Sequence, residues 1–288
     1  MRKEKISISS YMFLLPAGVI YISVIVFPVF YSFFISLFRW NGIGRMTFVG
    51  FNNFIDLFID AIFIKALTNT LIWTVLSLFL TMSVSLWFAV ILNKQFRGRT
   101  FFRGFFYFPT VLALIAVSVI WRWIYNPAFG FINEFFKFFG SDFRQDWISN
   151  PNTSLYAIFF ASLWRSIGQP MIFFLAGLQT VPVEILEAAL IDGTSNVRRF
   201  FSIVIPMMKE TFVIVIANLL VNALKVFDII WGLTAGGPNN ATEMMSTYMY
   251  SHTFRYNNVG YGTAIAVLML VFMMVVIIPY VSFTAEKD

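Results

Sequence analysis

The chain has 288 residues, 59% of them hydrophobic and 12% charged, with a net charge of +6 and a mean hydropathy of +0.79. A soluble domain carries about 25% charged residues, so too little polar surface is present to coat a water-soluble globule, and the chain reads as a polytopic membrane protein. In that class the surplus of bases belongs to cytoplasmic loops rather than to nucleic acid. The absence of cysteine excludes disulfides, thiolate metal sites and thiol nucleophiles, and a single histidine, His252, makes no metal cluster by itself.

In chain order, Arg2, Lys3 and Lys5 precede an apolar run that is too long for a signal peptide and is not closed by a small-residue cleavage site, so it reads as a retained first span. Apolar runs long enough to cross a bilayer as helix cover about 11–38, 67–92, 105–125, 154–178, 211–234 and 259–283. They are continuous rather than alternating, which favours helices over a barrel. The expectation is an all-α membrane protein, with residues 1–288 forming a single six-span domain. The loop Asn93–Gly104 holds Lys94, Arg97, Arg99 and Arg103 without an acid, whereas Asn126–Pro151 sets two bases against Glu134, Asp142 and Asp146. The bias places both termini in the cytoplasm. Trp121, Arg122, Trp123 and Tyr125 read as an interfacial belt, and the run 131–139 as a short amphipathic helix on the outer surface.

The fourth and fifth spans are joined on the cytoplasmic side by residues 179–210, far more than a bare connector needs. Pro182 suits a helix start, and Glu184 and Glu187 lie in the first turns, where the helix dipole favours acids. Asp192-Gly193 ends that helix, Ser195 caps a second over Asn196–Phe201, and Pro206 opens the next span. Two short helices meeting at a glycine form a knob, either a docking surface or a solvated re-entry loop.

The spacing carries a resemblance. Glu187-Ala188-Ala189, three residues, Gly193, nine residues, then Ile203-Val204-Ile205-Pro206 resembles the EAA signature of ABC-importer membrane subunits, with Ile205 where that family has Leu. The stretch Leu233–Phe254 resembles the GGP-loop segment of maltose-type sugar-importer permeases, and the first span is similar to theirs as well. The resemblance implies a type I importer permease fold in a bacterial or archaeal cell membrane. It implies four kinds of neighbour: a second related permease subunit, two cytoplasmic ATPase subunits, an extracytoplasmic sugar-binding protein and the lipid bilayer. Glu187, Ala188, Ala189, Asp192, Gly193 and Pro206 would couple to the ATPase, and Gly236, Gly237 and Pro238 would meet the binding protein. With no GxxxxGK[ST] loop in the sequence, ATP and Mg would be held by the partner subunits, and this chain would be a transport subunit rather than an enzyme with a cofactor of its own.

Polar groups within spans mark pathways or locks. In the fifth span Asn218, Asn222 and Lys225 share a narrow arc, Asp228 stands in i,i+3 relation to Lys225, and Trp231 follows. Amides beside an aromatic plane suit a sugar, while the same residues could form an interhelical lock. Trp164, Arg165 and Gln169 of the fourth span are further pathway candidates, although Arg165 also fits a snorkelling arginine, and Gly168 allows close helix approach. Asn69, Trp73 and Ser77 share a stripe of the second span. The leading reading is half the translocation pathway for a carbohydrate, an oligosaccharide by resemblance. Glycerol phosphate or another polyol derivative is the alternative within the class. A stand-alone secondary transporter is the rival outside it, with Asp228 as the one acid inside a span.

Overall fold

The computed structural model describes residues 8–140 and 144–285. Arg2, Lys3, Lys5 and Asp142, which entered the orientation argument, lie outside the described residues. Three helices are long and apolar enough to cross a membrane unbroken, Phe13–Ser36, Ala61–Asn93 and Val259–Ser282. Three further helix pairs are long and apolar enough when taken together but are bent at a short break: Arg99–Val111 with Leu114–Ile124 at 100°, Ser154–Ser166 with Gly168–Thr180 at 45°, and Asn196–Met207 with Lys209–Leu224 at 74°. The sequence pattern predicts the spans but not the bends, because hydropathy is blind to a break that leaves composition unchanged.

Contacts divide the chain into two compact units. The first comprises Met1–Asp60 and Tyr248–Leu270. Its leading helix passes through a π turn at Ile22–Val26 and ends at Ser36. There Asn53 Nδ2 donates to the Ser36 and Phe38 carbonyls at 2.8 and 3.0 Å, satisfying acceptors that a helix end leaves open. A two-residue antiparallel hairpin pairs Phe38–Arg39 with Thr47–Phe48, a small addition to the all-α expectation. Gly260 of the last helix lies so close to the Phe38 carbonyl that no side chain fits there. The Asp60 carboxylate accepts hydrogen bonds from Tyr248 at 2.5 Å and Tyr261 at 2.8 Å. The His252 ring packs among Tyr248, Tyr256 and Tyr261, with centroids 4.5 to 5.2 Å away. Burial holds the His252 pKa below its usual value, and the nearby Asp60 carboxylate opposes that shift.

The second unit comprises Ala61–Thr247 and Val271–Asp288. Its helix Ala61–Asn93 starts six residues before the apolar run 67–92 and passes through a π turn at Ser77–Thr81. Arg103 donates to the Leu92 carbonyl from Nε and Nη2 (3.2 and 2.7 Å), closing the end of that helix. The third span breaks at Leu112 and Ala113, which take extended backbone after Pro109. Its far end is not a uniform belt. Trp123 is 71% exposed, but Tyr125 is 3% exposed, with its hydroxyl bonded to the Ala157 carbonyl at 2.7 Å. Small residues allow close approach: a Cβ on Gly168 would lie 2.9 Å from Tyr107 Cα and 3.0 Å from the Phe106 carbonyl, and Gly177 faces Thr211 in the same way. One buried cluster gathers Trp73, Val117, Ile158, Phe159 and Ile230, and another gathers Ala89, Met171, Phe174, Met208 and Val215.

Two outcomes follow. Gly168→Ala should lower stability by about 1–3 kcal/mol through overpacking, whereas Gly104→Ala, with nothing within 4 Å of its Cβ position, should be neutral or stabilising; thermal unfolding of the purified protein compares them. Because the folded pKa of His252 is depressed, its contribution to stability is present above its unfolded pKa of about 6.5 and is lost as pH falls through the lower folded value. The melting temperature should therefore drop on acidification below that point, and His252→Gln should remove this component of the pH dependence.

Candidate functional site

The breaks in the spans expose backbone polar groups that a bilayer cannot satisfy, and side chains of neighbouring helices take that role. Arg165 Nε donates to the Leu112 carbonyl at 3.0 Å, at the break of the third span, and Thr110 Oγ1 donates to the Arg165 carbonyl at 2.8 Å. Arg165 is thus not a snorkelling side chain. It is turned inward because a freed carbonyl needs a donor, and it stands on the wall of a cavity of about 450 Å³.

That cavity brings together Arg165, Gln169, Asn218, Asn222, Lys225 and Asp228. Trp73 and Ser77 of the second span also line it, whereas Asn69 turns to the loop beyond and donates to the Ala241 and Glu243 carbonyls at 3.0 and 2.9 Å. Trp164 and Trp231 are absent from the described lining residues. Trp164 packs edge-on against Trp121 at 6.0 Å, and Trp231 stacks on Phe227 at 5.5 Å, with Phe227 itself on the wall. The sequence reasoning missed the hydroxyls of Thr81, Thr110, Ser162 and Ser166 and the ring of Phe159. Ser162, Ser166 and Gln169 follow a helical stripe that could have been found by extending the Arg165–Gln169 face backwards.

The fifth span departs from the continuous wheel. Its helix ends at Leu224, residues 225–227 are non-helical, and a new helix starts at Asp228. Lys225 and Asp228 are therefore not an i,i+3 pair, and they form no ion pair. Asp228 instead opens a helix, where the dipole favours a carboxylate. Asn222 Nδ2 donates to the Asn218 carbonyl at 2.9 Å and to Asn218 Oδ1 at 3.1 Å, within one helix rather than across two. The freed Val226 carbonyl accepts from the Ser246 hydroxyl. The cavity thus presents amides, hydroxyls, aromatic faces, two cations and one carboxylate, a set suited to a polyhydroxylated solute.

The knob is built as its signals require. Helix Val183–Ile191 ends in a Schellman motif: Thr194 N donates to the Ala189 carbonyl at 3.1 Å, Gly193 N donates to the Leu190 carbonyl at 3.0 Å, and Gly193 takes φ +73°. Ser195 Oγ accepts from Arg198 N at 3.3 Å, capping the second helix. Glu187, Ala188 and Asp192 are exposed, while Ala189 is buried against the chain's own interior. Val183, Leu190, Ile191, Val197 and Phe201 are also exposed, Ile191 at 87%. Pro206 does not open the fifth span. It lies near the end of the second knob helix, behind a π turn at Phe200–Val204 that accommodates its missing N–H, and the span begins at Lys209 after the bend.

On the loop after the fifth span, Gly236 takes φ +91° and packs against the Glu243 carboxylate so closely that a side chain would collide. Thr242 Oγ1 donates to the Gly237 carbonyl at 2.6 Å, and Thr247 Oγ1 donates to Glu243 Oε1 at 2.7 Å. Pro238 and Gly237 are half-buried and Asn239 is exposed at the tip.

Comparisons with known proteins agree with this architecture. Residues 81–284 match the family described as binding-protein-dependent transport system inner membrane component. The chain is 35% identical over 279 residues to a probable ABC transporter permease protein of Pyrococcus horikoshii, covering 96% of each chain. It is 35% identical over 255 residues to the multiple sugar-binding transport system permease protein of Streptococcus mutans, covering 87% of this chain and 86% of that one. In a crystal structure of a bacterial alginate ABC transporter in complex with alginate pentasaccharide-bound periplasmic protein, one chain superposes with a TM-score of 0.83 at 21% identity, covering 94% of this chain and 91% of that chain. With the family match spanning most of its length and the type I importer permease fold in place, the chain belongs to the binding-protein-dependent transport system inner membrane components.

Proposed function

We propose that this chain is one of two permease subunits of an ATP-binding-cassette importer and forms half of the pathway for a carbohydrate, an oligosaccharide in the leading reading. The observation that carries the reading is the pairing, in one subunit, of an exposed two-helix knob with a polar, aromatic-walled cavity between broken spans. Both termini face the cytoplasm in this scheme. Glu187, Ala188, Asp192 and Gly193 then form the surface that enters a cleft on one of two separate ATPase subunits, where ATP and Mg are bound. Pro206 and the bend at Met208 join that surface to the fifth span. A solute-binding protein delivers the cargo on the opposite side, against the loop of Gly236, Gly237 and Pro238. ATP-driven closure draws the paired knobs together and rocks the spans between inward- and outward-facing arrangements.

Within the cavity Asn218, Asn222 and Gln169 exchange hydrogen bonds with sugar hydroxyls, and Trp73, Phe159 and Phe227 offer faces to C–H surfaces. Trp231 supports this wall from behind, stacked on Phe227. A second reading is a phosphorylated polyol such as glycerol phosphate. It is favoured by one observation, that Arg165 and Lys225 outnumber Asp228 at the cavity.

Coupling and pathway separate in two experiments. Gly193→Val forces a β-branched residue into left-handed backbone, at a cost of about 1–2 kcal/mol, and Glu187→Lys reverses a charge at the docking face. Both should leave the assembled complex intact by gel filtration while reducing solute-stimulated ATP hydrolysis and uptake more than tenfold; unchanged stimulation refutes the coupling role. Asn222→Leu should weaken transport of a neutral sugar by about 0.5–1.5 kcal/mol, several-fold in KM, as one hydrogen bond is lost. Lys225→Gln should leave neutral sugar uptake near normal, whereas the phosphorylated-cargo reading requires the unaltered complex to import glycerol phosphate and Lys225→Gln to reduce that import more than tenfold.

A further inference from the structure

The fourth span turns at Ile167, between Ser154–Ser166 and Gly168–Thr180. The cause is local: Pro170 has no N–H to give the Ser166 carbonyl four residues back, and its ring crowds that carbonyl. The carbonyls on either side of this gap are held from other spans. Thr110 Oγ1, on the third span, donates to the Arg165 carbonyl at 2.8 Å, and Ser85 Oγ, on the second, donates to the Ile167 carbonyl at 2.9 Å. Hydroxyls inside helices ordinarily bond back to their own turn, as Thr70, Thr74 and Ser118 do here. Repair of the break does not account for both bonds, because the Ile167 carbonyl already accepts the Met171 amide at 3.1 Å. Gly168 tightens the joint: a Cβ there would lie 2.4 Å from Thr110 Oγ1.

The joint divides two tasks. Ser162, Arg165 and Ser166, on the half before it, line the polar cavity, and Arg165 ties that half to the third span a second time through the Leu112 carbonyl. Of the half after it, only Gln169 and Pro170, next to the joint, are among the described lining residues. That half runs through Val181 and Pro182 alone into the knob helix Val183–Ile191. A displacement of the knob therefore enters the span on one side of the joint, while most of the solute-facing groups sit on the other. We propose that Ile167 is a fixed pivot, on which the knob-bearing half of the fourth span turns while the cavity-bearing half stays in register, and that Ser85 and Thr110 are the positioning residues that fix it. The inference rests on the transport reading above. Without these two hydroxyls the joint slips, so that knob motion driven by ATP is dissipated before it changes access to the cavity.

The test uses the assembled importer in proteoliposomes with its binding protein, and a solute that the unaltered complex imports from a panel of labelled neutral oligosaccharides and glycerol phosphate. It reads uptake per ATP hydrolysed, beside the melting temperature. Thr110→Val and Ser85→Ala each delete one donor. Each should keep ATP hydrolysis within about twofold of the unaltered complex while uptake per ATP falls roughly three- to tenfold, the worth of one hydrogen bond. Thr110→Ser keeps a hydroxyl and should restore the ratio, and Thr68→Val, whose hydroxyl bonds its own helix at the Ile64 carbonyl, should leave it unchanged. Pro170→Ala returns an N–H to the Ser166 carbonyl and stiffens the joint, so it should lower uptake per ATP by a similar factor without lowering the melting temperature, a pair of effects that loss of structure does not produce. An unchanged ratio in Thr110→Val overturns the proposal, as does a parallel fall in uptake and hydrolysis. If neither hydroxyl variant assembles, an unaltered ratio in Pro170→Ala is sufficient to overturn it. An unaltered complex whose ATPase no member of the panel stimulates removes the transport reading itself, and this inference with it.

Discussion

A backbone carbonyl inside a bilayer has no water to turn to, and much of this structure follows from that constraint. Three helix pairs are broken within a few residues, and the fifth span's helix stops at Leu224 before a new one starts at Asp228. Each interruption frees acceptors that must be paired within the protein. Arg165 on the Leu112 carbonyl and Ser246 on the Val226 carbonyl are two such pairings. Both draw polar side chains toward the interior. The polar cavity is thus a by-product of repairing broken helices as much as a site added to them, and Arg165 serves both purposes at once. This dual role explains how a chain with so little charge still presents charged groups to an internal space.

The same economy appears at the knob. The loop needs no large core because the Schellman closure, the Ser195 cap and the buried Ala189 fix its shape locally. Its exposed surface combines Glu187 and Asp192 with Leu190, Ile191 and Val197. That mixture of acid and apolar side chains is ill suited to water alone and well suited to a complementary cleft. The loop bearing Gly236 is of another kind. It is held from within by Glu243, Thr242 and Asn69, so its shape is set before anything touches it.

How far these features could be read from residues alone depends on their range. Continuous apolar runs reveal spans, and Gly193 and Ser195 reveal their turn, because the physics is local to a few residues. The bend at Leu112 and Ala113 was hidden, since its neighbours are as apolar as any helix interior and Pro109 is tolerated within a turn of it. The end of the fifth span at Leu224 was hidden for the same reason, and a wheel drawn through it wrongly joined Lys225 to Asp228. Six of the eight pathway residues chosen from polarity do meet at one cavity. Trp164 and Trp231 lie outside its described lining, because residue type and spacing do not fix which way a ring faces. Thr81, Thr110 and Ser162 escaped notice because a lone hydroxyl in a span usually bonds its own helix, and no local pattern shows which one opens on a cavity.

The elbow at Met208 has a geometric corollary. Met208 is 1% exposed and sits where the second knob helix turns 74° into Lys209–Leu224. Asn218 stands ten residues further on, ~15 Å along the axis at 1.5 Å per residue. A tilt of about 10° about that fulcrum sweeps its amide through ~2.6 Å, close to the full length of a hydrogen bond. The gearing is such that a modest swing at the knob moves the Asn218 amide by enough to make or break a hydrogen bond, with no side chain required to change rotamer.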